Sequence, residues 1–204
     1  MLALLAALFC VLANGFFVAA EFALVKVRPT SLEASAASGD HKAQRALEAI
    51  RNLDAYLGAT QLGITLASLA LGWLGEPALA VVVEPLLEAS SIPTTAARPI
   101  ALAIAFGTIT LFHIVIGELA PKTLAIQFPE RVVRMSATAM QTFFWATYPF
   151  LIVLNGSANL FLRMFGVQPT DHGVPGAPSS DEIRLIVQAS FRAGSLEGTQ
   201  RDLL

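Results

Sequence analysis

One stretch concentrates the oxygen chemistry of this sequence, residues 113–122, HIVIGELAPK. Pro121 has no N–H, so within an α-helix the carbonyl of Gly117, four residues earlier, loses its partner. Beside it stands Glu118. A released carbonyl next to a carboxylate is a pair of hard oxygen donors, which suits Mg²⁺ or Ca²⁺. No thiolate or histidine pair is present to suit zinc. The competing reading is a proline kink at a helix end with a solvated Glu118. Lys122, four residues beyond Glu118, either pairs with it or extends to the headgroups. His113 reads as a packed, hydrogen-bonded histidine.

Two further stretches hold polar groups in apolar surroundings. Asn14 and Glu21 are seven residues apart, two helical turns, and share a face. Each either bonds a neighbouring helix or water, or belongs to a site. Gln61, Thr65, Ser68 and Gly72 follow at spacings of four, three and four, which makes one stripe of polar and small residues. Close packing is the expected role of Gly63 and Gly72, because small residues let membrane helices approach. Ser68 suits packing and a site equally.

The elements that must position these groups follow from composition. The 204 residues are 55% hydrophobic and 14% charged, against about 25% charged in soluble domains. A mean hydropathy of +0.64 places the chain in a membrane and excludes most soluble enzymes. A net charge of −2 offers no basic field to nucleic acid. The one cysteine, Cys10, excludes a disulfide framework. Spans are expected over about 2–25, 57–83 and 99–120, each near the 20 residues a bilayer requires. The first lacks the positive flank of a signal peptide.

Lys26, Arg28, Lys42, Arg45 and Arg51 follow the first span, and Lys122, Arg131 and Arg134 follow the third. The positive-inside rule puts both groups in the cytoplasm and the N-terminus outside. The 26–56 connection reads as one or two short surface helices. Segment 136–166 is apolar enough to cross but contains Pro149, Asn155 and Asn159; hydropathy favours crossing over a re-entrant or interfacial course. Residues 167–178 read as a Pro- and Gly-rich linker. Ser179 and Glu182 form a capping box for a helix over 179–204, and the chain is expected to be a piece of a longer protein.

The blocks NGFFVAAEFALVKVR (14–28), ATQLGITLASLALGWLGEP (59–77) and HIVIGELAPKTLA (113–125) together resemble the transmembrane domain of the CNNM/CorC family of magnesium transporters. The resemblance implies an all-α membrane protein with three transmembrane helices, a juxtamembrane belt at 136–166 and the start of a cytoplasmic helical bundle at 179–204. It implies a homodimer in the cell's inner (plasma) membrane, its C-terminus in the cytoplasm. CBS domains that bind ATP would follow beyond this chain. Gly117, Glu118 and Pro121 fall on the family's G-E-x-x-P site. Ser68 falls where many members place asparagine, and Glu21 matches the family's glutamate. At Asn14 the family's serine pattern is replaced by N-G-F-F-V-A-A-E, which puts the first-helix ligand in question.

The expected function is Mg²⁺ transport, an export in exchange for Na⁺, with no enzymatic activity. The expected ligands are Glu118, the Gly117 carbonyl, Ser68, and Asn14 or Glu21, shaped by Gln61, Gly63, Thr65, Pro121 and Lys122. The alternative is a Mg²⁺-binding sensor or scaffold that moves no ions. An intramembrane hydrolase fits poorly, since Ser68 and His113 lack a triad context and no G-x-S-x-G is present.

Overall fold

The computed structural model describes residues 2–90 and 92–166, and every element among them is a helix. The linker and capping-box helix expected over 167–204 lie outside the described residues. Residues up to Phe161 form one compact unit, and Leu162 opens a second. The helices are α1 (Leu2–Lys26), α2 (Pro29–Ala37), α3 (His41–Arg51), α4 (Leu53–Ala89), α5 (Thr94–Phe112), a π-helical segment (His113–Leu119), α6 (Ala120–Gln127) and α7 (Pro129–Met164). The π segment joins α5 to α6, so residues 94–127 make one long rod.

Four stretches are long and apolar enough to cross a membrane: 2–26, 53–89, 94–127 and 129–164. The first three contain the expected spans. The second starts four residues earlier than the hydropathy suggested and continues through Pro77 and Pro85. The 26–56 connection forms two helices, a hairpin. Its α2 closes on Gly39, whose φ of 93° is one that side chains resist. Its α3 starts on Asp40, whose carboxylate accepts the Lys42 and Ala43 amides at 2.8 and 3.3 Å.

Helix contacts inside the bundle are made by small residues. Ala20, Ala23 and Ala59 are buried where the C-terminal part of α1 meets the N-terminal part of α4, and Ala80, Ala101 and Ala105 line the meeting of α4 and α5. Lipid is as apolar as leucine, so membrane helices associate through close backbone approach, which alanine and glycine permit. Gly75 faces Ile109 and Ala7, and Gly63 receives the ring of Phe17. Many large apolar side chains instead point away from the chain, among them Leu69 and Trp73, which are 68% and 83% exposed, while Leu32, Tyr56, Met140 and Phe144 are buried.

α7 is one unbroken helix despite Pro149. Its first half is fastened to the hairpin. Arg134 pairs with Asp40 and, at 3.7 Å, with Glu130. Arg45 donates to Thr138 at 2.8 Å, and Gln141 donates to Glu48 at 3.0 Å. Phe144 then stacks on Tyr56 and Phe143 tilts against Phe17, each pair 4.6 Å between centroids. Beyond Leu151, residues 152–161 are all exposed, so the helix leaves the bundle there.

Two outcomes follow. A methyl on Gly63 would lie 2.6 Å from the Phe17 ring, which also packs against Phe143. Gly63→Ala is expected to destabilise the domain by about 1–3 kcal/mol, read as a lower thermal midpoint in detergent, with Phe17→Leu restoring most of it. The Asp40 carboxyl is held below the usual aspartate range, first by the Lys42 amide and further by the Ala43 amide and Arg134. Its folded pKa is lowered, so its stabilisation is complete above the ordinary value of about 3.9 and is lost as pH falls through the folded one. The midpoint difference between wild type and Asp40→Asn should be constant at neutral pH and shrink below about pH 4.

Candidate functional site

The π-helical segment is the local consequence of Pro121. The ring cannot donate to the Gly117 carbonyl, and just before it the hydrogen-bond register widens: the Ala120 amide reaches back five residues to the Val115 carbonyl. The rod therefore continues without the break expected at the proline. The Gly117 carbonyl does find a partner. Asn14 Nδ2 on α1 donates to it at 2.9 Å, across 103 residues of sequence. Gly117 makes this approach possible, because a Cβ there would lie 3.4 Å from that nitrogen and 3.0 Å from the His113 ring. Gly15 serves the same contact: a Cβ on it would lie 3.0 Å from Pro121 and 3.1 Å from the Ile116 carbonyl.

Asn14 is 2% exposed, so both halves of its amide must be satisfied within the fold. The second half is: its Oδ1 accepts the Ser68 hydroxyl of α4 at 3.1 Å. The Ser68 oxygen lies 3.4 Å from His113 Nε2, and it can accept from that nitrogen in the Nε2–H tautomer. Three stretches far apart in sequence are thus joined in one chain, from His113 through Ser68 and Asn14 to Gly117. No buried side-chain nitrogen or oxygen lacks a partner among the described residues.

Against this chain of groups lies a cavity of about 210 Å³, room for several water molecules at about 30 Å³ each. Its lining brings together Asn14, Glu21, Ser68 and Glu118, with Val18, Phe22, Ile64 and His113 completing the wall. Four of the five expected ligands therefore share one cavity, and the fifth, Gly117, is bonded to its wall through Asn14. Glu118 is exposed and Glu21 half-buried. Among the described residues no three His, Cys, Asp or Glu side chains converge on one point.

The residues expected to shape the site divide. Gly63 packs on Phe17, and Pro121 sits against Gly15. Gln61 and Thr65 are exposed and outside the cavity lining, the Thr65 hydroxyl returning to the Gln61 carbonyl at 2.8 Å. Of the α4 stripe only Ser68 turns inward to the cavity. The Lys122 ammonium sits 4.6 Å from the centre of the Phe22 ring, a cation–π contact, and makes no ion pair with Glu118.

His113, read from the sequence as a packed, hydrogen-bonded histidine, makes that bond to Ser68 and also lines the cavity. Five residues along an α-helix turn about 140°, which separates His113 from Glu118. In a π-helix the fifth residue returns to nearly the same side. The signal available was the proline, which disturbs the register between the two.

Long apolar helices with small-residue seams, enclosing a polar cavity beside a π-helical segment, define a multi-pass helical membrane domain organised around a buried polar centre. The chain belongs to the CNNM family: residues 5–200 match the Cyclin M transmembrane N-terminal domain. It is similar to the UPF0053 proteins YhdT and YugS of Bacillus subtilis (strain 168), 40% and 41% identical over 188 residues, each alignment covering 92% of this chain. It is also similar to the uncharacterized protein Rv1841c of Mycobacterium tuberculosis, 35% identical over 195 residues, 96% of this chain. The chain spans 40%, 43% and 55% of the length of these three relatives.

Asn14→Leu would leave the buried Gly117 carbonyl without its side-chain donor and the Ser68 hydroxyl without its acceptor. The expected cost is about 1–3 kcal/mol, seen as a lower thermal midpoint of the purified domain. An unchanged midpoint would show that neither bond contributes to the fold.

Proposed function

We propose that this domain carries Mg²⁺ across the membrane through the cavity between α1, α4 and the π-helical segment. One observation carries the reading: within apolar helices, beside a proline, Asn14, Ser68 and two carboxylates (Glu21 and Glu118) line one small space, and the Gly117 carbonyl is bonded to its wall through Asn14. Carboxylates in apolar spans are costly, about 2.5–3.5 kcal/mol on insertion scales, and their gathering at one place marks an ion path. Oxygen donors without sulfur select a hard cation. Irregular backbone at membrane depth, facing a cavity, is how transporters coordinate ions.

In this reading Mg²⁺ enters with part of its water shell, which it sheds reluctantly. Glu118 supplies the charge and Ser68 a neutral oxygen. The Gly117 carbonyl has a second lone pair beyond the one Asn14 occupies. Glu21 faces the same space from α1. Na⁺ is the proposed exchanged ion, a second copy of the chain the proposed partner, and ATP enters only through CBS domains outside this chain.

The proposed orientation has the N-terminus outside and the C-terminus in the cytoplasm of the inner (plasma) membrane, because the α2–α3 hairpin and the start of α7 carry the basic residues. α7 would then run as a belt along the inner interface. Its first half is fastened to the hairpin, its exposed second half leaves the bundle, and Trp145 and Tyr148 suit the headgroup level.

A second reading, an Mg²⁺ sensor that moves no ions, draws on the same network. Asn14, Ser68 and Gly117 satisfy one another without a metal, as structural groups would. Flux into liposomes separates the two. Wild-type protein should move Mg²⁺, and Glu118→Gln should reduce the rate by at least about tenfold, the scale seen when metal sites lose even an outer partner. Unchanged flux in Glu118→Gln would sink the site, whereas saturable Mg²⁺ binding with no wild-type flux would favour the sensor.

A further inference from the structure

A second, larger cleft is lined by charges of the opposite sign to the carboxylates of the first cavity. It measures about 840 Å³ and is formed where α1 ends, α2 and α3 begin, and α6 passes into α7. Its lining holds five cations, Lys26, Arg28, Lys42, Arg131 and Arg134, and a single carboxylate, Glu130. This is a basic site on a chain whose net charge is −2. Arg134 is committed to Asp40 and Glu130. Among the described residues no carboxylate lies within 4 Å of the charged groups of the other four cations.

The remaining wall is apolar and open: Ile126, Phe128 and Met135 are 42%, 55% and 70% exposed. Lys26 closes the first membrane helix, so the cleft sits where apolar spans give way to charged connections.

We propose that this cleft binds the headgroup of an anionic glycerophospholipid, with the phosphate against Lys26, Arg28, Lys42 and Arg131 and an acyl chain along Ile126, Phe128 and Met135. Both halves of the lining are then used. A free phosphate would leave the apolar wall bare, and a zwitterionic lipid would leave the cations uncompensated. Arginine presents a fork of donors to phosphate, and lysine adds a point charge. Basic pockets beside membrane helices on the cytoplasmic side are where such headgroups are held. A lipid here would bridge α1, the hairpin and α7.

The test is native mass spectrometry of the purified full chain in detergent, offered phosphatidylglycerol and phosphatidylcholine at equal concentration. Wild type should retain phosphatidylglycerol preferentially. Arg131→Gln should weaken that preference by about fivefold, the weight of one cation near an anionic surface, and Lys26→Gln, Arg28→Gln, Lys42→Gln and Arg131→Gln together should abolish it. Arg51→Gln with Arg98→Gln, two cations outside the cleft, should leave the preference intact and so exclude a general charge effect. Equal retention of the two lipids by wild type overturns the proposal. So does displacement of phosphatidylglycerol by inorganic phosphate at matching concentration, which would make the cleft a soluble-anion site. If the fourfold variant does not purify, Arg131→Gln alone decides: an undiminished preference overturns the proposal.

Discussion

The bond from the Asn14 amide to the Gly117 carbonyl is the constraint around which the inner part of this domain is arranged. Pro121 removes the backbone donor to the buried Gly117 carbonyl, and a buried carbonyl left without a partner costs about 1–3 kcal/mol. A side-chain amide from another helix meets the need. That solution places demands on its neighbours. Gly117 and Gly15 must stay without side chains for α1 to come close enough, and Ser68 must stand opposite to take the other end of the amide. The cavity, with its two carboxylates, is the space left beside this arrangement. What began as the repair of a broken helix thus fixes the distance between three segments and the shape of the polar centre.

Much of this was legible in the residues, and the parts that were not share a physical cause. The spans could be read because burial in lipid is a composition problem, and 14% charge distributes itself in only one sensible way. The proline-linked carbonyl and its adjacent carboxylate could be read because both lie within one short stretch. Asn14, Ser68 and Glu21 were legible as misfits in apolar helices, each a polar group needing a partner. Their mutual contact was not, since nothing in separate helices fixes how they are rotated against each other.

Gln61 and Thr65 show the limit of periodicity. They share a stripe with Ser68, yet α4 is long enough that one face meets different neighbours at different heights. His113 was legible as a packed, hydrogen-bonded histidine, but its place beside Glu118 on the cavity wall depends on the widened turn, which a fixed helical period does not contain. Lys122 does not take the ion pair with Glu118 that its spacing allowed; its ammonium lies over the face of Phe22, a contact that the spacing of ion pairs does not anticipate.

The alanine seams carry a different consequence, for how such a chain can change over generations. Where two backbones touch through Ala101, Ala105 and Ala80, all at most 6% exposed, the only smaller replacement is glycine, at about 1 kcal/mol of helix propensity, and every larger one wedges the helices apart. Drift is closed in both directions on the inward faces. On the outward faces Leu69 and Trp73 are 68% and 83% exposed, and one apolar residue serves as well as another. A family built this way should diverge from its rim inward, holding its smallest residues longest and its largest most loosely, the reverse of a soluble core.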